Sequence, residues 1–437
     1  MMTTLEQTSS NLSPLERIYA EHRYFIESLN GHNQGKLSHL RLRGIEELQR
    51  LGIPTVRHEE WKYTNLYSLL AKQFAHARWV DESVASHIVS QFSQWGTVVP
   101  VVNGRLVAFT APGIFSLKEV ASSDNQLVQR LGTIAVSEGN AIVAWNTAFL
   151  EDGVVVRIDQ HSPKDPIIIT SVLDTRQGNV MAHERHLVEV APGGSATVVF
   201  VQRTVGDGEA LLNQVLECWV GENAQMLILI VQDGTANSHA ITTHEIELAS
   251  NARLQMVTVS IGGGFIRNMP AARLVGEGAH AELYGLTIAD GTMLVDHHTV
   301  VDHRVPSCTS NELYKAILDG RSMGVFNGKI FVRPNAQRTN AYQANRSIVR
   351  SPRATINAKP QLEIFANDVR CTHGCTVGRL DKEAMFYLRS RGLSPAEAEA
   401  LLLTAFAEEI TAQIPIESIR AHVNATIEHL FHADELA

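Results

Sequence analysis

Apolar positions along this 437-residue chain follow two periods, and the changes of period divide it into three parts. Over the first ninety-odd residues they recur three and four apart, the spacing of one helix face. Leu15, Ile18, Tyr19, His22, Ile26 and Leu29 follow Ser13-Pro14-Leu15-Glu16, a capping-box signature with proline at the first helical position. A second amphipathic run begins at Leu37 and stops at Gly52-Ile53-Pro54, and a third helix is expected from Asp81 to Trp95. Between these two lies His58-Glu59-Glu60-Trp61-Lys62-Tyr63-Thr64-Asn65, whose aromatics suit packing against the next unit or, alternatively, a partner surface.

Near residue 98 the period becomes two. Residues 98–102, the pair Asn103-Gly104 and residues 105–109 form a hairpin signal. Short helices are expected around 117–131 and 141–149, and from Gly153 runs rich in Val, Ile and Thr dominate for about two hundred residues. These runs repeat. Val220-Gly-Glu-Asn-Ala224, Leu248-Ala-Ser-Asn-Ala252 and Val275-Gly-Glu-Gly-Ala279 each place an alanine four residues after an aliphatic residue, and the alanines are 28 and 27 apart. Looser copies occur at 190–196, 305–309 and 332–336. One strand-bearing coil cannot bury its own apolar face, whereas a stack of coils can, so this rhythm predicts a β-solenoid; a sandwich of evenly spaced hairpins is the competing architecture.

Beyond residue 380 the helical period returns. Asp381 can cap a helix through Arg389, Ser394-Pro395-Ala396-Glu397 is a second capping box, and Ile416 to Phe431 reads as a last helix. The expected organisation is an N-terminal helical region (1–97), a mainly β core (98–380) and a C-terminal helical region (381–437), with the helices covering both open ends of the stack.

Composition narrows the function. Hydrophobic residues at 44% and charged ones at 19% are those of a folded chain. A net charge of −9 excludes a broad basic surface for nucleic acid. Four cysteines make no disulfide framework, the amino terminus lacks a basic-then-apolar signal, and the longest strongly apolar run, 226–231, is too short to span a bilayer. A cytoplasmic protein without membrane or nucleic-acid partners is expected. There is no P-loop, no G-x-S-x-G and no H-E-x-x-H, and Gly262-Gly263-Gly264 lacks the context of a dinucleotide fingerprint.

Candidate chemistry lies in two stretches. In 360–380, Cys371, His373 and Cys375 would project from one side of an extended backbone, and thiolate and imidazole are ligands for iron and zinc. Gly374 signals a bulge or turn there, and the same residues read equally as an ordinary buried thiol, a histidine and a turn. In Asp296-His297-His298-Thr299-Val300-Val301-Asp302-His303, carboxylates stand beside imidazoles, as metal or acid–base work needs, or as an exposed polar ladder provides. Cys218 and Cys308 read as buried small hydrophobes.

D-H-H-T-V-V-D-H (296–303), S-N-E-L-Y-K-A-I-L-D-G (310–320), F-N-G-K-I-F-V (326–332), A-Q-R-T-N-A-Y-Q-A-N (336–345), K-P-Q-L-E-I-F-A-N-D-V-R-C-T-H-G (359–374) and F-Y-L-R-S-R-G (386–392) resemble the core of the SufB/SufD family of iron–sulfur cluster assembly proteins. E-E-W-K-Y-T (59–64), the length and the C-T-H-G motif place the resemblance nearer the SufD branch than the cysteine-richer SufB. The resemblance implies a right-handed parallel β-helix between helical regions, and a scaffold subunit with no enzymatic activity of its own. It also implies pairing with SufB through the later coils and binding of the SufC ATPase at the C-terminal helices, with a homodimer expected for the isolated chain. A transient iron–sulfur cluster would be shared with the partner subunit and none held tightly alone. His373 matches the family's ligand histidine and Cys371 its neighbouring cysteine; Cys375 stands where alanine is usual. The rival is a stand-alone enzyme, either a metal-dependent hydrolase using the 296–303 histidines or a carbohydrate-active β-helix. Aromatics at 6% give little material for sugar subsites.

Overall fold

A computed structural model describes residues 12–29, 35–107, 109–121 and 126–432. The amino-terminal decapeptide, Ala108 in the second arm of the expected hairpin and residues 122–125 of the expected 117–131 helix lie outside the described residues. The chain is mainly β, a parallel solenoid flanked by helices. Successive strands go alternately to two ten-stranded sheets, so each strand pairs with the one two further on. Along the second sheet Ser195 pairs with Gln225, then Arg253, His280, Thr309 and Asn340, so one coil takes 27 to 31 residues.

The corner that sets this period is local chemistry. Asn223, Asn251, Gly278 and Ser307 adopt φ of 56°, 54°, 75° and 61°, the left-handed region where glycine and asparagine are cheapest. Each precedes a fully buried small residue: Ala224, Ala252, Ala279 and Cys308. Their carbonyls accept from the backbone N–H groups of Arg253, His280, Thr309 and Asn340 at 2.9–3.1 Å. Only a small side chain lets neighbouring coils approach this closely, and Cys308 takes the alanine position. Both it and Cys218 are buried small hydrophobes, as expected; burial pushes the Cys218 thiol up to about 12. The Asn103-Gly104 hairpin forms as well, pairing Val101 with Leu106 and Val102 with Arg105.

The two outer faces have different covers. Helices Pro14–Ser28, Lys36–Leu51 and Ala141–Ala148 set Phe25, Leu48, Trp145 and Phe149 against Met181, Leu211, Ile241 and Phe265 of the first sheet. Helices Glu82–Phe92, Pro395–Thr411 and Glu417–His432 set Phe92, Leu403, Ile410 and Val423 against Leu229, Val257 and Leu286 of the second. Full burial of such side chains is worth about 1.5–3 kcal/mol each, which is why both sheets are covered. Ser394 caps the second of the C-terminal helices in a reciprocal box with Glu397, at 3.2 and 2.7 Å. S394A is expected to destabilise that helix by about 1 kcal/mol, read as faster amide exchange of 395–398 with the solenoid amides unchanged.

The ends of the stack correct one expectation. Antiparallel pairs close the N-terminal end of both sheets. Among the described residues the C-terminal end is open: strands Thr355–Ile364 and Val369–Gly378 are the terminal members of their sheets. The C-terminal helices do not cover it, because their apolar faces lie on the side of the second sheet, and helix Lys382–Ser390 buries no residue. Pro360 fits this edge. Thr355 and Phe365 donate to the preceding coil, so the position of Pro360 points its missing N–H outward, where it costs nothing.

Candidate functional site

Cys371, His373 and Cys375 lie on strand Val369–Gly378, the last of the second sheet. Its register against Thr339–Val349 is continuous, pairing Cys371 with Ala341, His373 with Gln343, Gly374 with Ala344 and Cys375 with Asn345. Gly374 therefore makes neither bulge nor turn. Its absent Cβ would meet no atom within 4 Å, so the position is open on that side.

Alternation puts the three candidates on the inner face. Their partners Ala341, Gln343 and Asn345 are at most 2% exposed, and Cys371 packs on the solenoid core. His373 and Cys375 are nonetheless exposed, because among the described residues no further coil stacks on this one. Burial pushes the Cys371 thiol up, partly offset by a backbone hydrogen bond at Ala341, and pushes the Cys375 thiol up as well. Both are protonated thiols at neutral pH until a metal or cation displaces the proton. Neighbours such as Cys371 and His373 stand about 7 Å apart along a strand, and Cys371 and Cys375 about 13 Å, too far to surround one ion. Among the described residues no group of three or more His, Cys, Asp or Glu is arranged to hold a metal ion. One strand could thus offer at most one or two ligands to a single ion.

The 296–303 stretch forms no such centre. On strand Leu294–His303 the side chains diverge. His297 points inward, its Nε2 3.1 Å from the Thr287 hydroxyl, and His303 does likewise, 2.9 Å from that of Ser310; burial holds both imidazoles at about 4, hence neutral. Asp296 and His298 point outward, yet Asp296 is fully buried, so the ladder is not the exposed one expected from alternation. The cover is the 59–64 segment. Arg267 pairs with Asp296, donates to the Glu60 carbonyl at 2.8 Å and lies 3.8 Å from the Trp61 ring centre. Thr64 donates to Asp296, His298 sits between Asp296 and Glu60 at 3.1 and 3.3 Å, and Lys329 and Lys359 pair with Glu60 and Glu59. Trp61 is buried, so this aromatic packs against the sheet. A cavity of about 520 Å³, lined by Trp61, Arg267, His298 and Lys329 among others, lies beside this strap, away from the last coil.

The inner row that ends at His373 was not singled out from the sequence. It runs Val198, Ile228, Met256, Leu283, then Glu312, Gln343 and His373, in register coil by coil. The row is apolar for four coils and polar for the last three. Glu312 and Gln343 are 0% and 2% exposed, and Gln343 Nε2 donates to Glu312 Oε2 at 2.5 Å. A signal was available in the repeat itself, since Glu312 occupies the position filled by Leu283 one coil earlier, and Gln343 the one filled by Met256 two coils before Glu312.

Comparison with known proteins agrees with this architecture. Residues 172–406 match the model described as "SUF system FeS cluster assembly, SufBD core domain", and residues 11–93 that of the "SufBD protein N-terminal region". A SufBD family iron–sulfur cluster assembly protein of Synechocystis sp. is 30% identical over 405 residues, covering 87% of this chain and 88% of that one. The iron–sulfur cluster assembly protein SufD of Escherichia coli is 29% identical over 392 residues, 88% and 90% of the two chains. A SufBD family protein of Mycobacterium tuberculosis is 29% identical over 406 residues, 91% and 93%. No helix among the described residues is long and apolar enough to cross a membrane. The core match spans more than half of the sequence, the relatives align almost end to end, and the fold is the solenoid that the repeat predicts: the chain belongs to the SufB/SufD family of the Suf system for iron–sulfur cluster assembly.

Proposed function

We propose that this chain is a non-enzymatic scaffold subunit of a SufB–SufC–SufD complex, in which His373, with Cys371 and more peripherally Cys375, ligates a nascent iron–sulfur cluster at the seam with SufB. The cluster is cargo and leaves. The observation that carries the reading is that His373 is exposed on the inner row of a terminal strand with no further strand paired to its edge among the described residues. An unpaired strand edge is a template for another chain, and one completing strand from SufB would bring its own ligands opposite these. Without SufB a second copy of this chain would take the same edge, giving a homodimer.

Sharing the cluster between subunits suits its release, because opening the seam breaks several ligand bonds together. An ATPase that favours one arrangement can drive that opening. For SufC we assign the surface of helix Lys382–Ser390, where Phe386 and Tyr387 are 75% and 56% exposed on a helix without any buried residue. Cys/His ligation also leaves less negative charge on the cluster than four thiolates would.

The test is His373→Ala in the complete complex, with cluster formation followed by visible absorption. Assembly is expected to fall at least about tenfold, the lower end of what losing even an outer-shell partner of a metal site costs. Wild-type assembly rates in H373A would remove His373 from the mechanism.

A further inference from the structure

Three observations converge on Gln343. First, Nε2 donates to Glu312 Oε2 at 2.5 Å on the preceding coil, the orientation an ionised carboxylate requires, and Oε1 is then the atom left over. Second, that Oε1 is buried and has no protein partner, although Gln343 as a whole is 2% exposed. Buried carbonyl oxygens in native proteins find donors, and the inner-row residue in register on the next coil is His373, which carries a ring N–H. Third, the opposite sheet makes room for this side chain. A Cβ at Gly328 would lie 2.3 Å from Gln343 Nε2 and 2.7 Å from its Cδ, so only glycine lets the amide extend across the lumen.

We propose that Gln343 is a positioning residue for His373: its side-chain oxygen accepts one imidazole N–H, which sets a single tautomer and leaves the other ring nitrogen unprotonated as an electron-pair donor to iron. Glu312 anchors the amide, and Gly328 leaves the space in which it lies. Ligating histidines commonly hold their second nitrogen on such an acceptor, which orients the ring and raises its basicity. The row keeps polar residues where earlier coils have Met256 and Leu283 because the last imidazole needs an acceptor that an aliphatic side chain lacks. This assignment rests on His373 being a cluster ligand, but its structural content is testable separately.

The experiment uses the full chain with ¹⁵N-labelled histidine, at about pH 8 so that imidazoles are neutral. The ring resonances of His373 are identified by their loss in H373A. The expected wild-type result is one tautomer, and Q343L is expected to give the mixture of a solvated imidazole. G328A is the second variant: its methyl would meet the Gln343 amide nitrogen at 2.3 Å and the Phe326 ring edge at 2.7 Å, so the amide is displaced and the ring must give slightly, and it is expected to shift the tautomer in the same sense. In the complete complex both variants are expected to slow cluster assembly about 10–100-fold, the usual cost of losing an outer-shell partner. A His373 ring spectrum identical in wild type, Q343L and G328A would overturn the role of Gln343, and would mean that water supplies its donor. Normal assembly in H373A overturns the ligand reading instead, and the tautomer measurement still decides whether Gln343 orients the ring.

Discussion

Asp296→Ala is expected to destabilise the protein by about 3–5 kcal/mol, the cost of leaving one member of a buried ion pair without its partner. Arg267 is 1% exposed and Asp296 0%, and the guanidinium would lose its carboxylate while remaining under Trp61. Burial alone would push the Asp296 carboxyl up, yet Arg267 and His298 hold it at about 2. The depressed value means that this contribution is present above the ordinary carboxylate range and is lost only as pH falls from 3.8 toward 2. The measurement is the urea midpoint of D296A against wild type, with Trp61 fluorescence reporting release of the strap. The double variant R267M/D296L is expected to recover most of the loss, since a well-packed apolar pair removes the desolvation cost along with the attraction. A loss below about 1 kcal/mol in D296A would show that the strap is held by packing alone and the ion pair is incidental.

Glu312→Gln is expected to raise stability by less than about 1 kcal/mol at pH 5 and by up to about 3 kcal/mol at pH 8. Burial raises this carboxyl from 4.5 to about 7, only partly offset by hydrogen bonding with Thr299 and Gln343. The folded protein therefore binds the proton more tightly than the unfolded chain does. Its stability falls as pH rises from about 4.5 through 7 and levels off above. Glutamine mimics the protonated acid and removes this dependence. The check is the difference in urea midpoint between wild type and E312Q at the two pH values, which cancels every group the two proteins share. Equal differences at both pH values would mean that Glu312 ionises normally, through water in the lumen.

Much of the architecture was legible before any coordinates because the forces that set it are local. The coil period is written in asparagines and glycines that tolerate the left-handed corner and in the small residues that follow them, as at Asn223-Ala224 and Asn251-Ala252. The helix starts at Ser13 and Ser394 are reciprocal hydrogen bonds within four residues. The face shared by Cys371, His373 and Cys375 follows from strand alternation once Gly374 proves to be ordinary strand.

What escaped the sequence are relations whose energy depends on partners far along the chain. The carboxylate–imidazole pattern at 296–303 looked like a site or an exposed ladder. Its meaning depends on Thr64, 232 residues away, and on Glu60, 207 residues from Arg267, which turn it into the buried clasp of the N-terminal strap. The open C-terminal end was equally unreadable, because amphipathic spacing says that a helix has an apolar face but not which surface receives it. That choice exposes His373. The primary structure by itself thus determined the coil, its corners and the strand that carries the ligand types, all consequences of backbone conformation over a few residues. Only the tertiary structure decided that this strand is the last one, that no described strand pairs with its outer edge and that Glu312 and Gln343 precede the imidazole in its row. Those facts arise from the stacking of separate coils, where register, not neighbourhood in sequence, brings side chains together.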